Sequence, residues 1–407
     1  MAGGSAGGSM AGGSAGGATV APLMVSIPNS RFLGIAQVAV GGPPFGTVIA
    51  TVREPLDGGS SILEGWASNG SPTPSQSRVI SWSSAYRVTA IASNISDTAL
   101  AVRSSNGISI EAVLPLSNFG TAGFINLESF IGASDAGVSR LSMLPTGSTA
   151  PVLAFVQGSG PNGSARLYRT GSGSIAPLSY TPSNMGGIAW GDDVIDSPEP
   201  GSSASRILVT ARCSETCAFG GTNVTSTGLA ARFAWVSYPP AATALGMTSM
   251  HALLVGSFST PIFSPNGPVR VASDGNNFVY FGGQAMSGEL VVERRAATTG
   301  MRDGNLLSSI GALQLVDVKR ASNGAAVLLL ATYQTSNVSF PTVLPFTSST
   351  QRNVVVIRID AMLNVSSTPF NLPGDQQAVG FAGGGNGYLH IAINEGPNAV
   401  LWRIPEP

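Results

Sequence analysis

The chain has 407 residues, of which 43% are hydrophobic and 10% are charged, and its formal net charge is −1. This length and hydrophobic content predict a folded protein with one large domain or two or three ordinary ones. No excess of basic residues is present to neutralise phosphates, which argues against nucleic-acid binding. A surface that is poor in charge and rich in Ser, Thr, Asn and Gly is common among secreted proteins.

Residues 1–17 are a low-complexity stretch of Gly, Ala, Ser and Met. They have neither the basic start nor the apolar centre of a signal peptide, and their composition predicts a flexible tether. A tether without an export signal suggests that a removed signal or a membrane anchor once lay upstream. Residues 18–407 are predicted to form a single domain. The longest apolar runs, such as AAVLLLAT at residues 325–332, are too short to span a bilayer.

One unit recurs along the chain: a strand, a short turn rich in residues that tolerate positive φ, and a second strand. In chain order, the sequence predicts seven such hairpins, with turns near residues 29, 95, 147, 199, 275, 323 and 386. A third strand follows each hairpin, and a weaker fourth strand fits before most of the next units, at residues 77–82, 124–129, 251–258 and 366–372. No convincing amphipathic helix is present.

The first unit is predicted to start with strands at residues 24–27 and 31–40. The fourth unit has a predicted strand at 186–190, a long insertion and a second strand at 205–212. The fourth unit is the least regular of the set.

A single four-stranded sheet cannot bury both of its faces, whereas sheets arranged radially each pack against two neighbours. We therefore predict an all-β fold, a seven-bladed β-propeller of four-stranded antiparallel blades. A pair of β-sandwiches is the alternative. The last unit stops after its third strand, at residues 398–405, and residues 18–21 are placed to fill the missing outer position. We expect the ring to close by pairing of the N- and C-terminal strands.

The segments VASDGNNFVYFGG (residues 271–283) and FAGGGNGYLHIAI (residues 381–393) share an apolar strand, a Gly- and Asn-containing turn and a second apolar strand. This pattern resembles the bacterial β-propeller repeat proteins of the SBBP type, whose blade repeats have about 60 residues. Residues 207–238 resemble the second half of such a repeat. The resemblance implies a propeller fold and an extracellular or cell-envelope location in a bacterium, but no single activity and no catalytic residues.

Cys213 and Cys217 are the two cysteines of the chain. In an exported protein, a local disulfide that staples a loop is the preferred interpretation. Free thiols and a metal site are the alternatives, and the metal site is disfavoured because no histidine lies nearby to complete a tetrahedral set.

The acidic segment GDDVIDSPEP contains Asp192, Asp193, Asp196 and Glu199. Several carboxylates so close together are a candidate Ca²⁺ site, because this ion prefers hard oxygen ligands. The spacing is not that of an EF-hand, and a solvated acidic loop is the alternative. Apart from this ion, the sequence predicts no cofactor.

Trp66 is predicted to lie in a loop, LEGWASNG, whereas the other tryptophans mostly lie in predicted strands. An exposed indole is suited to stacking on a sugar or a partner, so Trp66 is a candidate ligand-binding residue. Core packing is the alternative. The longest loops connect second to third strands, among them residues 214–230 and 334–351, and the sequence predicts that one end of the ring is more decorated than the other.

Three functions remain open at this point. The first is a non-enzymatic binding or interaction module, tethered through its N-terminus, monomeric, and with a protein or glycan ligand. The second is a carbohydrate-active lyase or hydrolase, and the third is a structural surface component. An enzyme needs acidic, His or Tyr side chains that converge at the ring axis. The predicted inner strands carry few charges, namely Arg270, Asp317 and Lys319, which favours binding or structure.

Overall fold

The structure is a computed structural model. It describes residues 23–38, 48–67, 74, 76–79, 87–93, 98–104, 107–113, 127–129, 138–143, 152–157, 164–169, 175–177, 189–198, 205–213, 216–219, 222–225, 230–237, 246–254, 263–264, 267, 269–322, 326–346, 350–370, 374–383 and 387–407. Between residues 87 and 254, side chains are described at few of these positions.

The described residues form an all-β structure in which seven sheets each have four antiparallel strands and one further sheet has two. We name the four-stranded sheets A to G in chain order. Sheet A consists of β2 (Ser30–Val38), β3 (Val48–Pro55), β4 (Ile62–Ala67) and β5 (Gln76–Val79). Sheet B consists of β6 (Arg87–Ser93), β7 (Thr98–Ser104), β8 (Gly107–Val113) and β9 (Leu127–Ser129). Sheet C consists of β10 (Val138–Met143), β11 (Val152–Gln157), β12 (Ser164–Arg169) and β13 (Ile175–Pro177).

The remaining sheets follow the same up-and-down order. Sheet D consists of β14 (Ala189–Pro198), β15 (Ser205–Cys213), β18 (Ala230–Ser237) and β19 (Gly246–Leu254). Sheet E consists of β20 (Arg270–Ser273), β21 (Phe278–Gln284), β22 (Glu289–Ala296) and β23 (Leu307–Ala312). Sheet F consists of β24 (Gln314–Arg320), β25 (Ala326–Tyr333), β26 (Asn353–Asp360) and β27 (Val365–Phe370). Sheet G consists of β28 (Gln376–Gly383), β29 (Tyr388–Glu395), β30 (Asn398–Pro405) and β1 (Leu23–Ile27). The two-stranded sheet, β16 (Thr216–Phe219) and β17 (Thr222–Thr225), lies in the connection between β15 and β18.

Strand β25 shows why these strands are apolar on both faces. All eight of its residues are buried. Because side chains alternate between the faces of a strand, Val327 and Leu329 contribute to the core that sheet F shares with sheet E. Leu328 and Leu330 contribute to the core that sheet F shares with sheet G. The run AVLLLA is therefore a strand between two neighbouring sheets.

Apolar cores lie between successive sheets. Phe233 and Phe281 belong to the core between sheets D and E, and their ring centroids are 5.2 Å apart. The last core joins the two ends of the chain, because Phe32 and Trp66 of sheet A pack with Ala392 and Leu401 of sheet G. The first strands of the sheets contact one another in the order β2, β6, β10, β14, β20, β24 and β28, and β28 contacts β2.

Sheets G and A are also joined by a polar contact at a β-bulge. The pairing of β2 with β3 shifts register between Phe32, which lies opposite Arg53, and Gly34, so the residue between them has no partner on β3. The Asn394 side chain binds the backbone beside this bulge, because its Oδ1 accepts from the Phe32 N–H at 2.7 Å and its Nδ2 donates to the Phe32 carbonyl at 3.0 Å.

The all-β fold and the four-stranded antiparallel sheets predicted from the sequence are confirmed. The Asp-Gly-Asn turn also forms as predicted. The Asp274 Oδ1 accepts backbone N–H groups from Asn276, Asn277 and Phe278 at 2.8, 3.0 and 3.0 Å, and Gly275 has a φ of 80° that suits glycine.

The assignment of the first unit was wrong by one strand. The segment predicted as its first strand is β1, which pairs with β30 of sheet G in register from Leu23 opposite Arg403 to Ile27 opposite Ala399. The turn near residue 29 therefore connects two sheets. The local pattern of strand, turn and strand is the same for a hairpin and for such a connection, so the sequence did not separate them. Residues 18–21, predicted to fill the outer position, lie outside the described residues.

The fourth unit also differs from its prediction. The segment interpreted as a long insertion is largely strand, because β14 runs without interruption from Ala189 to Pro198 and pairs with β15. The acidic residues Asp192, Asp193 and Asp196 therefore lie within a strand and not in a loop. Pairing along β15 outweighs the low strand propensity of Asp, Ser and Pro in this segment.

Candidate functional site

Four charged residues on the first strands of three sheets form the main polar site. Arg140 lies on β10 of sheet C, Arg270 on β20 of sheet E, and Asp317 and Lys319 on β24 of sheet F. We call them the first-strand cluster. The Arg140 Nη1 lies 2.8 Å from the Asp317 Oδ1, although sheets D and E separate the two residues along the chain. The Lys319 Nζ lies 3.5 Å from the other carboxylate oxygen, Oδ2.

The carboxylate at the centre of the cluster is buried. Asp317 is only 4% exposed, so its carboxylate has little water around it and depends on the neighbouring cations for stabilisation. Its Oδ1 also accepts the backbone N–H of Val318 at 2.9 Å. Lys319 is the more accessible member, with 35% of its side chain exposed, and its ammonium donates to the Phe381 carbonyl of sheet G.

The electrostatics keep Asp317 ionised. Burial alone would raise the pKa of Asp317, but the charges of Arg140, Lys319 and Arg270 and the hydrogen bond from Arg140 outweigh burial and lower it. A carboxylate that is held in its charged form and bonded on both oxygens is a fixed counter-ion. It is poorly suited to act as a general acid or base near neutral pH.

Backbone register places a second acid at the same level. Arg140, Asp193 and Asp317 each directly follow the register shift of their own first strand. Going from sheet C to sheet F, the first strands carry Arg140, Asp193, Arg270 and Asp317, an alternation of positive and negative residues, although the pairing of β20 has no register shift that fixes the level of Arg270. The sequence indicated Arg270, Asp317 and Lys319 as charges of the inner strands but not Arg140, because nothing near Arg140 in the sequence marks its partner.

The predicted calcium ligands remain a prediction. The side chains of Asp192, Asp193 and Asp196 and the whole of Glu199 lie outside the described residues. Among the residues that the structure does describe, no three His, Cys, Asp or Glu side chains are grouped to hold a metal ion.

The disulfide prediction also stays open. The backbone places Cys213 at the end of β15, opposite Ala230, and Cys217 on β16, opposite Val224. A bond between these two residues would join the end of β15 to the first strand of the β16–β17 hairpin.

The prediction for Trp66 was wrong. Trp66 lies on β4 and is 2% exposed, in the core between sheets G and A. Its indole N–H donates to the Thr51 hydroxyl at 2.8 Å. The neighbouring Gly, Asn and Ser residues made this segment look like a loop, but the ring has no free face on which a sugar could stack.

A second candidate surface lies on the loop at residues 334–346, which connects β25 to β26 of sheet F. Val338, Phe340 and Leu344 anchor this loop in the core between sheets E and F. The Tyr333 hydroxyl donates to the Pro345 carbonyl at 2.5 Å. The loop is therefore held firmly at several points, although loops of this length are often variable.

The same loop extends the edge of sheet E. The backbone N–H groups of Ile310 and Ser339 each donate to the other residue's carbonyl at 3.0 Å, and Ser339 pairs in turn with Val343. The two outer members of this short ladder expose large apolar side chains, since Ile310 is 70% and Val343 is 74% exposed. Met286, in the turn between β21 and β22, is 71% exposed.

His390 is a buried histidine on β29 that is 2% exposed. Burial and then the charge of Arg403 lower its pKa to about 4. Because the unfolded chain binds the proton more readily, stability contributed by neutral His390 is complete above about pH 6.5 and is lost as the pH falls towards 4.

We expect His390→Gln to flatten this pH dependence. The wild-type free energy of unfolding should fall by about 3 kcal/mol more than that of the variant between about pH 7 and pH 4, given about 1.4 kcal/mol per pKa unit. Urea unfolding at a series of pH values measures the difference. Parallel pH profiles would contradict the assignment of a neutral, buried His390.

Comparisons with known proteins concern the fold alone. No family model matches the chain, and no curated protein matches its sequence. The chain is similar in structure to the polysaccharide lyase Uly1, with a TM-score of 0.50 and 10% identity over 95% of this chain and 99% of that one. It is also similar to Sqt1 from Chaetomium thermophilum bound to the N-terminus of the ribosomal protein L10, with a TM-score of 0.44 and 13% identity over 94% and 98% of the chains.

A third similar structure is the Nup133 β-propeller domain of Vanderwaltozyma polyspora, with a TM-score of 0.39 and 12% identity over 76% of this chain and 78% of that one. The sheet order and the cores between successive sheets describe a propeller-like, all-β fold. None of the comparisons identifies the SBBP-type repeat family. In the described residues, no helix has the length and apolar character that crossing a bilayer requires.

Proposed function

We propose that this protein is an exported or cell-surface, seven-bladed β-propeller that acts as a non-enzymatic binding module. Sheets A to G are its blades. The pairing of β1 with β30 and the core that holds Phe32 and Leu401 together support closure of the ring between its first and last blades. The ion pair between Arg140 and Asp317 supports a central axis, because first strands separated by two intervening sheets meet only when the sheets curve around a common centre.

The observation that carries the binding function is the pair of exposed apolar side chains at Ile310 of β23 and Val343 of the anchored 334–346 loop, which flank Ser339 in one ladder. Large apolar side chains exposed together on one face commonly mark an interaction site. Such a site binds more tightly when its residues are already ordered, because less conformational freedom is lost on binding. Both residues lie at the end of the blades where second and third strands connect, which is the end that the long loops decorate.

The first-strand cluster supports binding over catalysis at the axis. Asp317, the described acid of the cluster, is held ionised by three cations, whereas a lyase or hydrolase requires an acid or base that exchanges a proton during the reaction. We interpret the cluster as a plug that holds the blades together. Export, a disulfide between Cys213 and Cys217, a monomeric state and a bacterial cell-envelope location remain part of this proposal.

The proposal is tested by applying the purified protein to a glycan array and to an array of unstructured peptides, with a parallel assay for polysaccharide breakdown. We expect saturable binding without turnover, and we expect Ile310→Glu to weaken that binding about tenfold, which corresponds to about 1.4 kcal/mol. Met362→Glu is the matched control, because Met362 is 84% exposed but lies in the turn between β26 and β27 at the opposite end of sheet F.

Two results would contradict this function. Sustained polysaccharide breakdown that Asp317→Asn abolishes under conditions in which the variant is still folded would favour the lyase or hydrolase. A folded protein that binds nothing on either array would favour a structural surface component.

A further inference from the structure

The backbone of the 334–346 loop leaves one residue with its hydrogen-bonding groups directed outward. Ser339 and Val343 form an antiparallel pair whose flanking bonds run from the Phe340 N–H to the Thr342 carbonyl and from the Leu344 N–H to the Val338 carbonyl, at 3.0 and 2.8 Å. Flanking bonds of this kind define a non-hydrogen-bonded pair, in which both residues point their own N–H and C=O groups away from each other.

The backbone groups of Ser339 that point away from Val343 already have a partner. The Ser339 N–H and C=O point away from Val343 and pair with Ile310 of β23. By the same geometry, the Val343 N–H and C=O point towards the opposite, outer edge of the ladder. No residue in the described part of the chain bonds to them. The ladder Ile310–Ser339–Val343 thus ends in an open edge.

The exposed side chains beside this edge are apolar. Directly paired residues in an antiparallel ladder carry their side chains on the same face, so Ile310, Ser339 and Val343 form a row. Ile310 and Val343 are 70% and 74% exposed, and Ser339 between them is 8% exposed. The row contains no charge, so a ligand that fits it must use backbone hydrogen bonds and apolar contacts.

We propose that Val343 is the docking point for an extended peptide segment of a protein partner, which adds as one more strand to the ladder. This inference rests on the proposed binding function and names its ligand class. The peptide exchanges two backbone hydrogen bonds with Val343 and places a β-branched or other apolar side chain beside the Val343 side chain. Strand addition of this type takes its affinity from main-chain bonds and its selectivity from alternate side chains.

The residues around Val343 limit how far the added strand extends. Pro341 and Pro345 flank the open position and have no N–H to donate. Proline beside an edge protects it against uncontrolled pairing with other chains. The site therefore accepts a short segment of neutral sequence, held by one residue's pair of bonds.

The first test is hydrogen exchange resolved to single amides in the full chain. In the free protein, the Val343 amide should exchange much faster than that of Ser339, because the Ser339 N–H is bonded to Ile310 and the Val343 N–H faces water. Adding the peptide acetyl-Thr-Val-Thr-Val-Thr-amide until about nine-tenths of the protein is bound should slow exchange at Val343 about tenfold. A Val343 amide that is as protected as Ser339 before any peptide is added would overturn the proposal.

The second test separates backbone recognition from simple apolar contact. The same peptide with N-methyl groups on alternate amides keeps its side chains but loses its donors, and we expect its binding to fall at least tenfold. Val343→Pro removes the protein's donor and should have the same effect, whereas Val343→Thr keeps both the N–H and the branched side chain and should bind within about threefold of the wild type.

The outcomes distinguish this inference from the broader function. Equal binding of the methylated and unmethylated peptides, or peptide binding without a change at Val343, would overturn strand addition while leaving a binding module intact. A glycan that slows exchange at Val343 when no peptide does would also overturn it. The methylated peptide needs no altered protein, so this test holds even if Val343→Pro fails to fold.

Discussion

Replacing Asp317 by alanine should lower the free energy of unfolding by about 3–5 kcal/mol, because the change leaves buried cations without their counter-charge. Arg140, Lys319 and Arg270 all act on this carboxylate, and Arg140 reaches it from a sheet that is not adjacent in the chain. Urea unfolding of the purified variant measures the loss. Asp317→Asn keeps the shape of the side chain but not its charge, and should lose nearly as much.

A double-mutant cycle assigns this loss to the contact across the sheets. Removing Arg140 as well as Asp317 deletes a charge together with its partner, so the double variant should be about 1–3 kcal/mol more stable than the sum of the single changes predicts. Additive losses would show that the pair does not couple sheets C and F. Arg31→Ala is the matched control, since Arg31 forms an ion pair with Glu54 but 44% of its side chain is exposed; its loss should stay below about 1 kcal/mol.

The pH dependence of the same variant gives an independent check. A lowered folded-state pKa means that the stability contributed by Asp317 is complete above its unfolded value of about 4 and is lost as the pH falls through the folded value. The wild type should therefore lose stability below about pH 4 faster than Asp317→Asn. If both proteins respond alike, the carboxylate is not held in its charged form by the cluster.

The strands were predictable from the sequence wherever local chemistry decides the structure. The Asp274 turn follows from a side chain that accepts three successive backbone N–H groups. The apolar run of β25 follows from burial on both faces. Both signals lie within a few residues and do not depend on distant parts of the chain.

The sequence did not reveal features that depend on distant partners. Segment 24–27 looks like the first strand of a hairpin, and only its pairing with β30 shows that it belongs to the last sheet. Asp193 looked like a loop ligand, because acidic residues with Pro and Ser nearby favour loops, and its place in β14 depends on the long pairing with β15. Arg140 is an ordinary strand residue until the fold brings it to Asp317.

The candidate site at Val343 also depends on contacts between distant parts of the chain. From length and composition alone, the sequence indicated a long loop at residues 334–351. It did not indicate that Val338, Phe340 and Leu344 are buried while Val343 is exposed, because that alternation results from the packing of the loop against sheets E and F. The direction of the Val343 N–H follows only from its pairing with Ser339.

Deleting residues 1–27 should destabilise the protein more than any single substitution considered above. These residues include β1, whose ladder with β30 runs along the whole strand, and Val25 and Ile27, which pack against the core between sheets G and A. Losing about four backbone hydrogen bonds at about 1 kcal/mol each, together with partial burial of two aliphatic side chains, costs on the order of 5 kcal/mol. That approaches the whole net stability of many proteins, which is about 5–15 kcal/mol.

The control is a chain that lacks residues 1–17 only, which we expect to unfold at the same urea concentration as the full chain, because a sequence made of Gly, Ala, Ser and two Met residues offers little apolar side-chain surface to bury. The longer deletion should unfold at a lower concentration and should aggregate, since β30 becomes an open edge with buried residues such as Val400 and Ala399 at its sides. A synthetic peptide of residues 18–29 added in trans should restore part of the lost stability, because it supplies the missing strand. Unchanged unfolding of the 1–27 deletion would contradict closure through β1, since no ring that depends on that strand could lose it without cost.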